Sequence, residues 1–257
     1  MADELGQINS NTQILEEADR GANNGVAELN AAGLLPTSQI PQLPVATVKQ
    51  DSANWTGDGQ KLKVGSTWVW YDSQEDDPNS MHDNTVSESG TANGTHSATT
   101  LQDTSKSWTT NEWAGYLVRI NGGTNDRDVA KIVSNTADTL TVDANCITTV
   151  DNTSQYEISL AGRITVPENG RYLVTPRNTF TSGASTLYGT YVYVNGAFRN
   201  NIFMGGLSVE SVVAPAPQIL NLSAGDYIEV RAYSGTAGKN LLSIGSRVLF
   251  SVIKLSN

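Results

Sequence analysis

The stretch Arg163-Ile164-Thr165-Val166-Pro167-Glu168-Asn169-Gly170-Arg171-Tyr172-Leu173-Val174 decides the fold class, because two short apolar alternations flank a turn. The pattern recurs over residues 190–194, before an Asn195-Gly196 turn, over residues 220–230 and over residues 247–253. Successive side chains of a strand point to opposite faces, so short period-2 segments between Gly, Asn and Pro turns are typical of β-sandwiches. We therefore expect an all-β protein with a sandwich or jelly-roll architecture.

The order of these pieces resembles a known family. ITVPENGRYLV (164–174), VYVNG (192–196), LNLSAGDYIEV (220–230) and a closing apolar strand are similar to the complement/TNF-like jelly roll that caps many phage fibres. Two upstream pieces, VWYD (69–72) and DPNSMHD (77–83), fit the same order. The resemblance covers about half of the chain and implies a TNF-like jelly-roll head that forms a homotrimer.

Composition limits the partners. The 257 residues include 16 Lys and Arg against 26 Asp and Glu, a formal charge of −10. An acidic chain repels phosphates, so we expect no nucleic-acid partner. Cys146 is the single cysteine, which leaves no intramolecular disulfide. The sequence has no apolar run near the ~20 residues of a membrane span and no signal-peptide pattern after Met1, so we expect no membrane insertion and synthesis in a host cytoplasm.

The N-terminal region differs from the rest. Residues 20–41, RGANNGVAELNAAGLLPTSQIP, resemble a segment near the N-termini of phage tail fibres, which implies docking on a virion. One copy buries too little apolar surface to fold alone, so we expect attachment or a trimer stem, with a passive linker as the alternative. We assign residues 1–60 to this segment and a hinge, which Pro41, Pro44 and the polar run from Gln50 to Gln60 indicate. Its apolar residues are Ile14, Leu15, Val26, Leu29, Leu34, Leu35 and Ile40.

The remaining sequence divides into two parts. Residues 61–86 plus 158–257 have the size of one jelly-roll domain, and residues 87–157 are too many for a plain loop. Short apolar alternations and the turns at residues 121–123 and 135–138 predict an inserted small antiparallel β-domain in residues 87–157. Its LQDTSKSW sequence (101–108) resembles a small β-module that recurs in phage structural proteins. We expect this insert to be removable.

The candidate chemistry is sparse. The chain has two histidines, His82 and His96, and no nucleophile-elbow, His-Glu-x-x-His or P-loop motif. The acidic run between residues 72 and 83 is open to three interpretations: a solvated loop, a cation site or a glycosidase carboxylate pair. We expect His82 to order this loop through a carboxylate or backbone hydrogen bond. We predict no enzyme, and no catalytic, cofactor or metal site. The acidic residues are Asp72, Glu75, Asp76, Asp77 and Asp83.

Aromatic residues have two interpretations, core packing or stacking on sugars. We expect the tryptophans to be core residues, with Trp108 and Trp113 closing the core of the insert. Tyr191 and Tyr193 share a strand face and are candidates to line a trimer interface. A Gly-rich turn lies near Phe198, Phe203 and Met204. These three residues are expected to form either an exposed loop or a buried edge. The other aromatics considered are Trp55, Trp68, Trp70 and Tyr188.

These features together predict a structural phage virion protein. We expect a homotrimeric fibre or spike that docks on a capsid or tail protein through its N-terminus and binds a host-surface glycan or protein through its C-terminal head. The alternatives are a capsid decoration or head-fibre protein, a polysaccharide-degrading tailspike, and a bacterial matrix or lectin-like module.

Overall fold

The computed structural model describes residues 43–55, 59–124, 126–143, 147, 150–181, 187–205, 211–243 and 247–256. The chain separates into two compact units, Met1–Leu43 and Pro44–Asn257, and the second is described below. The N-terminal docking segment predicted over residues 20–41 lies outside the described residues, as does Cys146. Within the described ranges, no helix has the length and apolarity needed to cross a membrane.

Among the described residues, the regular secondary structure is strand throughout, apart from one 3-10 turn at Ser52–Asn54. In chain order the strands are β1 Val45–Lys49, β2 Lys61–Leu62, β3 Gly65–Trp68, β4 Ser73–Asp76, β5 Val86–Thr91, β6 Thr100–Gln102, β7 Leu117–Gly122, β8 Val129–Asn135, β9 Thr139–Val142, β10 Gln155–Ser159, β11 Arg163–Thr165, β12 Gly170–Phe180, β13 Leu187–Val194, β14 Ala197–Gly205, β15 Ser211–Val213, β16 Gln218–Leu222, β17 Tyr227–Ser234, β18 Lys239–Asn240 and β19 Leu249–Ser256.

Two antiparallel sheets form a jelly roll. Sheet one has the order β4-β1-β19-β12, with β15 and β16 both paired along the far edge of β12. Sheet two has the order β11-β17-β13-β14, and β3 also pairs with β17. The strands β1, β11, β12 and β13 lie alternately in sheet one and sheet two. A hairpin joins β13 to β14 within sheet two, and β16, β17 and β19 again alternate between sheet one and sheet two. This strand order is that of an eight-stranded jelly roll, which confirms the predicted fold class.

The two sheets share one hydrophobic core. Val48, Val174 and Phe250 of sheet one and Val192 and Val230 of sheet two are fully buried in the same cluster. Neighbouring residues in each strand point away from this cluster, as the period-2 pattern predicts. Burial of one face from each sheet therefore holds the sandwich together.

The hairpin between β13 and β14 follows the turn predicted from sequence. Asn195 and Gly196 have φ values of 51° and 74°. Positive φ at both central residues defines a type I′ turn, whose twist matches that of the flanking strands, and Asn-Gly is its preferred sequence. The turn therefore pairs Tyr193 with Phe198 of β14, and a bulge after this pair shifts Tyr191 to pair with Asn201.

The stem and hinge predicted over residues 1–60 end earlier than expected. Strand β1 lies between β19 and β4 inside sheet one, so the compact unit begins at Pro44. Gln50 and Gln60, which the sequence places in a polar hinge, are fully buried. Their amides are joined by a 2.9 Å hydrogen bond, and their Nε2 atoms donate to the backbone carbonyls of Trp70 and Trp68. These hydrogen bonds offset the burial of both Nε2 groups and of Gln60 Oε1.

Residues 86–159 form a separate six-stranded antiparallel sheet of order β5-β10-β7-β8-β9-β6. We call this sheet and its loops the module; it covers the segment predicted as an insert. The module has a core of its own, which includes the fully or nearly buried Ile120, Ile132 and Tyr156. Trp108 and Trp113 lie in this core, as predicted, with 8% and 9% of their surface exposed.

Replacing Phe250 by Ala tests the shared core of the sandwich. Phe250 is fully buried and its ring centroid lies 5.6 Å from that of Tyr71, so we expect the free energy of unfolding to fall by about 3–5 kcal/mol. Phe198, which is 52% exposed, provides the matched control, because its replacement by Ala should change stability by less than about 0.5 kcal/mol. Denaturant unfolding curves measure both changes. Equal losses for the two variants would contradict the described core.

Candidate functional site

The acidic loop is ordered by Asp77 and His82. The two carboxylate oxygens of Asp77 accept backbone N–H groups of Met81 at 2.8 Å and His82 at 2.9 Å. The buried His82 ring lies with Nε2 3.1 Å from the carbonyl oxygen of Ala161. Burial lowers the pKa of His82, which favours the neutral ring, with Nε2 donating to this carbonyl. The prediction that His82 orders the loop through a carboxylate or backbone hydrogen bond is confirmed, since its N–H bonds to Asp77 and its ring to Ala161.

The other acidic residues of the loop have separate partners. Asp72 accepts the backbone N–H of Asp51 at 2.7 Å and lies 3.7 Å from Arg119, and burial raises the pKa of Asp72 to about 6. Glu75 pairs with Lys49 at 3.1 Å. Asp83 accepts the backbone N–H of Thr85, and Asp76 lies on edge strand β4. In the described ranges no group of three or more His, Cys, Asp or Glu side chains is placed to hold a metal ion.

Three tryptophans lie at the junction between the module and the sandwich. Trp55, Trp68 and Trp70 are 5%, 6% and 2% exposed and pack in one cluster with Leu117 and Val129 of the module. The prediction that tryptophans are core residues is confirmed. Their location was missed, because Leu117 and Val129 are distant in sequence and nothing local links them to Trp68. We call this cluster, with the charged groups around it, the seam.

Trp68 is held by charged groups from both sides of the seam. Its indole Nε1 donates to the carboxylate of Asp143 at 2.6 Å. Lys131 of the module and Arg231 of β17 each place their cationic group 4.4 Å from the ring centroid. Cation–π contacts that are shielded from water contribute about 2 kcal/mol each. Trp68 therefore joins the two parts of the unit.

Ion pairs also cross the seam. Lys131 lies 2.5 Å from Glu229, whose side chain is 3% exposed. Lys63 of the sandwich lies 2.7 Å from Asp128 of the module, whose side chain is fully buried. Burial raises the pKa of Asp128, and the Lys63 contact acts in the opposite direction. The module is thus fixed against the outward face of sheet two.

The outward face of sheet two carries an aromatic cluster beside the seam. The ring of Phe198, which is 52% exposed, has its centroid 6.1 Å from Tyr191 and 5.9 Å from Tyr193. Tyr233 lies 6.1 Å from Tyr191, and Trp68 lies 5.3 Å from Tyr193. We call Tyr191, Tyr193, Phe198 and Tyr233 the aromatic face. The two tyrosines predicted to share a strand face therefore do so.

The other aromatic residues singled out from the sequence lie elsewhere. Tyr188 is fully buried and stacks on Phe180 with centroids 4.5 Å apart. The side chains of Phe203 and Met204 are outside the described part of the structure. In the module, Nε2 of His96 lies 3.0 Å from Oδ1 of Asn152.

The outward face of sheet one carries an apolar row across four neighbouring strands. Val45 of β1 is paired in register with Ile253 of β19, Ile253 with Leu173 of β12, and Leu173 with Ile219 of β16. Their strand neighbours point into the core, so these four side chains point outward. Ile219 is 53% exposed, and Val45, Leu173 and Ile253 are partly exposed. We call these four residues the apolar row.

The row next to it is uncharged on three strands and ends on edge strand β4 at Asp76, which pairs in register with Thr47. Thr47, Ser251 and Thr175 occupy the adjacent positions of β1, β19 and β12, and Thr47 Oγ1 donates to Ser251 Oγ at 3.0 Å. Apolar and hydroxyl side chains therefore fill the centre of this face. Contiguous apolar patches on a protein surface are candidates for association, and this face is such a candidate.

Several solved structures are similar to the chain at low identity. The structure of GITRL from bushbaby is 16% identical and covers 37% of this chain and 71% of its own, with a TM-score of 0.27. Murine APRIL at pH 5.0 is 12% identical over 55% of this chain and 98% of its own, with a TM-score of 0.33. Murine APRIL at pH 8.5 is 15% identical over 57% and 100%, with a TM-score of 0.31.

Such identities and scores carry no argument about function, and the jelly-roll assignment rests on the strand order. No family model and no curated protein sequence matches the chain.

The seam predicts a strong coupling between Lys131 and Glu229. A double-mutant cycle with Lys131→Met and Glu229→Gln should give a coupling free energy of about 1–3 kcal/mol, because the pair is largely shielded from water. The exposed pair Lys49 and Glu75, with side chains 24% and 35% exposed, is the matched control and should give about 0–1 kcal/mol. Unfolding free energies of the two cycles measure this. Equal coupling in both cycles would contradict a buried seam.

Proposed function

We propose that this chain is the subunit of a homotrimeric structural protein of a phage virion. In this proposal the jelly roll and its module form a projecting head, and the N-terminal segment attaches the protein to a capsid or tail protein. The observation that carries the proposal is the apolar row on the outward face of sheet one. The resemblance of residues 20–41 to the N-terminal segment of phage tail fibres supports the virion location.

The chemistry of this face suits contact between copies of the same chain. With a formal charge of −10, identical subunits repel one another over most approaches. At the centre of this face, the apolar row and the hydroxyl residues beside it let copies meet through uncharged side chains. Burial of apolar area stabilises such a contact by roughly 25 cal/mol per Å². The proposed number of three subunits rests on the resemblance to the complement/TNF-like family.

The aromatic face suits contact with a host-surface glycan. Aromatic rings present flat apolar surfaces, while tyrosine hydroxyls supply hydrogen-bonding groups at the same place. Tyr191 and Tyr193 are partly exposed, and Arg231 lies between Trp68 and Tyr193 at 4.4 Å and 5.9 Å from their rings. The seam holds these groups in fixed positions, which lowers the entropy cost of binding. We therefore place host binding on this face.

Ile219→Asp tests assembly through the apolar row. The unmodified protein should have a mass of three times 27.4 kDa by light scattering, and Ile219→Asp should shift it to 27.4 kDa, because a carboxylate buried at an apolar contact is costly. Phe198→Asp is the matched control, since Phe198 and Ile219 are 52% and 53% exposed on opposite faces. The control should remain a trimer. A monomeric unmodified protein, or a trimeric Ile219→Asp variant with a monomeric Phe198→Asp variant, would contradict the proposal.

Adsorption of phage particles tests the host-binding part separately. Particles carrying Tyr191→Ala and Phe198→Ala should assemble normally and adsorb to host cells at least tenfold more slowly. Val133→Ala, a change at a 59% exposed residue of the module, is the control and should leave adsorption unchanged. Unaltered adsorption by the double variant would reject the aromatic face. Particles that lack the protein yet adsorb normally and rupture more easily would favour the capsid-decoration alternative.

A further inference from the structure

A small polar cavity of about 200 Å³ lies between the module and the sandwich. Arg119 of β7 and Glu157 of β10 line it from the module, and Trp70 and Asp72 line it from the sandwich. Val86 of β5, which is 44% exposed, also lines it, so the cavity is reached from solvent. The volume is below the roughly 300–1,000 Å³ of cavities that take drug-sized ligands, so a ligand here is a small molecule or one unit of a larger one.

Two charged side chains of the lining are buried with an unused hydrogen-bonding atom. Among the described residues, Asp72 Oδ2 and Arg119 Nε have no hydrogen-bond partner. The two side chains are 8% and 12% exposed, and Nη1 of Arg119 lies 3.7 Å from Asp72 Oδ2, which is too long for a hydrogen bond. Buried polar atoms normally have partners, and a charged one without a partner is costly. These two atoms therefore offer an acceptor and a donor to a ligand.

Both side chains are held in place by their other contacts. Asp72 Oδ1 accepts the backbone N–H of Asp51 at 2.7 Å, and Arg119 Nη2 donates to the carbonyl oxygen of Asn54 at 2.7 Å. The guanidinium carbon of Arg119 also lies 4.4 Å from the ring centroid of Trp55. Burial raises the pKa of Asp72 to about 6, while Asp51, Arg119 and Trp55 act in the opposite direction. A site fixed in this way loses little entropy when a ligand binds.

The charges of the lining favour a neutral ligand that both donates and accepts hydrogen bonds. A cation placed here meets Arg119, and an anion meets Asp72 and Glu157, so either charge is opposed. A hydroxyl group carries one donor and two acceptor lone pairs. Adjacent hydroxyl groups on one carbon ring can donate to the carboxylates and accept from Arg119 together. The apolar parts of Trp70 and Val86 supply a wall for the carbon-bound hydrogens of such a ring.

We propose that this cavity binds one neutral hexopyranose unit of a saccharide, whose hydroxyl groups donate to Asp72 and Glu157 and accept from Arg119 Nε. None of the four residues of the aromatic face lines the cavity. The inference is therefore independent of host binding by the aromatic face and of the assembly through the apolar row. Hydrogen bonds to charged groups are stronger than those between neutral groups, which suits recognition by few contacts.

An NMR titration of the full-length, ¹⁵N-labelled protein tests this inference. The probes are the methyl glycosides of glucose, galactose and mannose. Two further probes are controls: tetrahydropyran-2-methanol keeps the ring without its ring hydroxyl groups, and glycine is a zwitterion. At least one methyl glycoside should shift the Nε–H resonance of Arg119 in a saturable way, and both controls should leave it unchanged. No shift with any glycoside, or an equal shift with either control, would overturn the proposal.

Two variants locate the binding in this cavity. Asp72→Asn should weaken binding of the best methyl glycoside at least about tenfold, because a charged acceptor is lost. Val86→Trp leaves the buried groups intact and should abolish binding, because the larger side chain fills the exposed part of the cavity. Glu112→Gln, at an exposed glutamate of the module outside the lining, is the control and should bind normally. Unchanged affinity in folded Asp72→Asn or Val86→Trp protein would overturn the proposal.

Discussion

A two-layer sandwich buries one face of each sheet and leaves the opposite face of each sheet available for other contacts. The shared core around Val48, Val192 and Phe250 satisfies the inner faces. On sheet two, the module and the seam around Trp68 cover part of the outward face, and aromatic side chains occupy the part beside them. On sheet one, the outward face presents the apolar row. This difference between the outward faces underlies the proposed division between host contact and self-assembly.

Charged side chains are concentrated at the seam, beside the aromatic face. Trp68 is held between Lys131 and Arg231, and its indole donates to Asp143, so cations gather where the two parts of the unit meet. Some of these charges are matched across the seam, as in Lys131 and Glu229. Arg127 of the module also faces the β2 and β18 strands of the sandwich. Docking of the module therefore stabilises the unit through both apolar and charged contacts.

Features encoded by a few adjacent residues could be predicted from the sequence. Asn195-Gly196 predicts its hairpin because positive φ at both positions is a local preference, and the period-2 segments predict the sandwich. The burial of the tryptophans was also predictable, but not their place in the seam. Gln50 and Gln60 indicate a hinge by composition, and only their long-range hydrogen bonds reveal that they are core residues. Lys61 and Lys239 are likewise brought together by strand pairing across most of the chain, which no local pattern records.

The most direct test of the central claim is an electron cryomicroscopy structure of the assembled protein. The account predicts a threefold assembly in which Val45, Leu173, Ile219 and Ile253 are buried between subunits and the aromatic face remains open to solvent. An assembly in which the apolar row faces solvent, or one held together through the aromatic face, would contradict it.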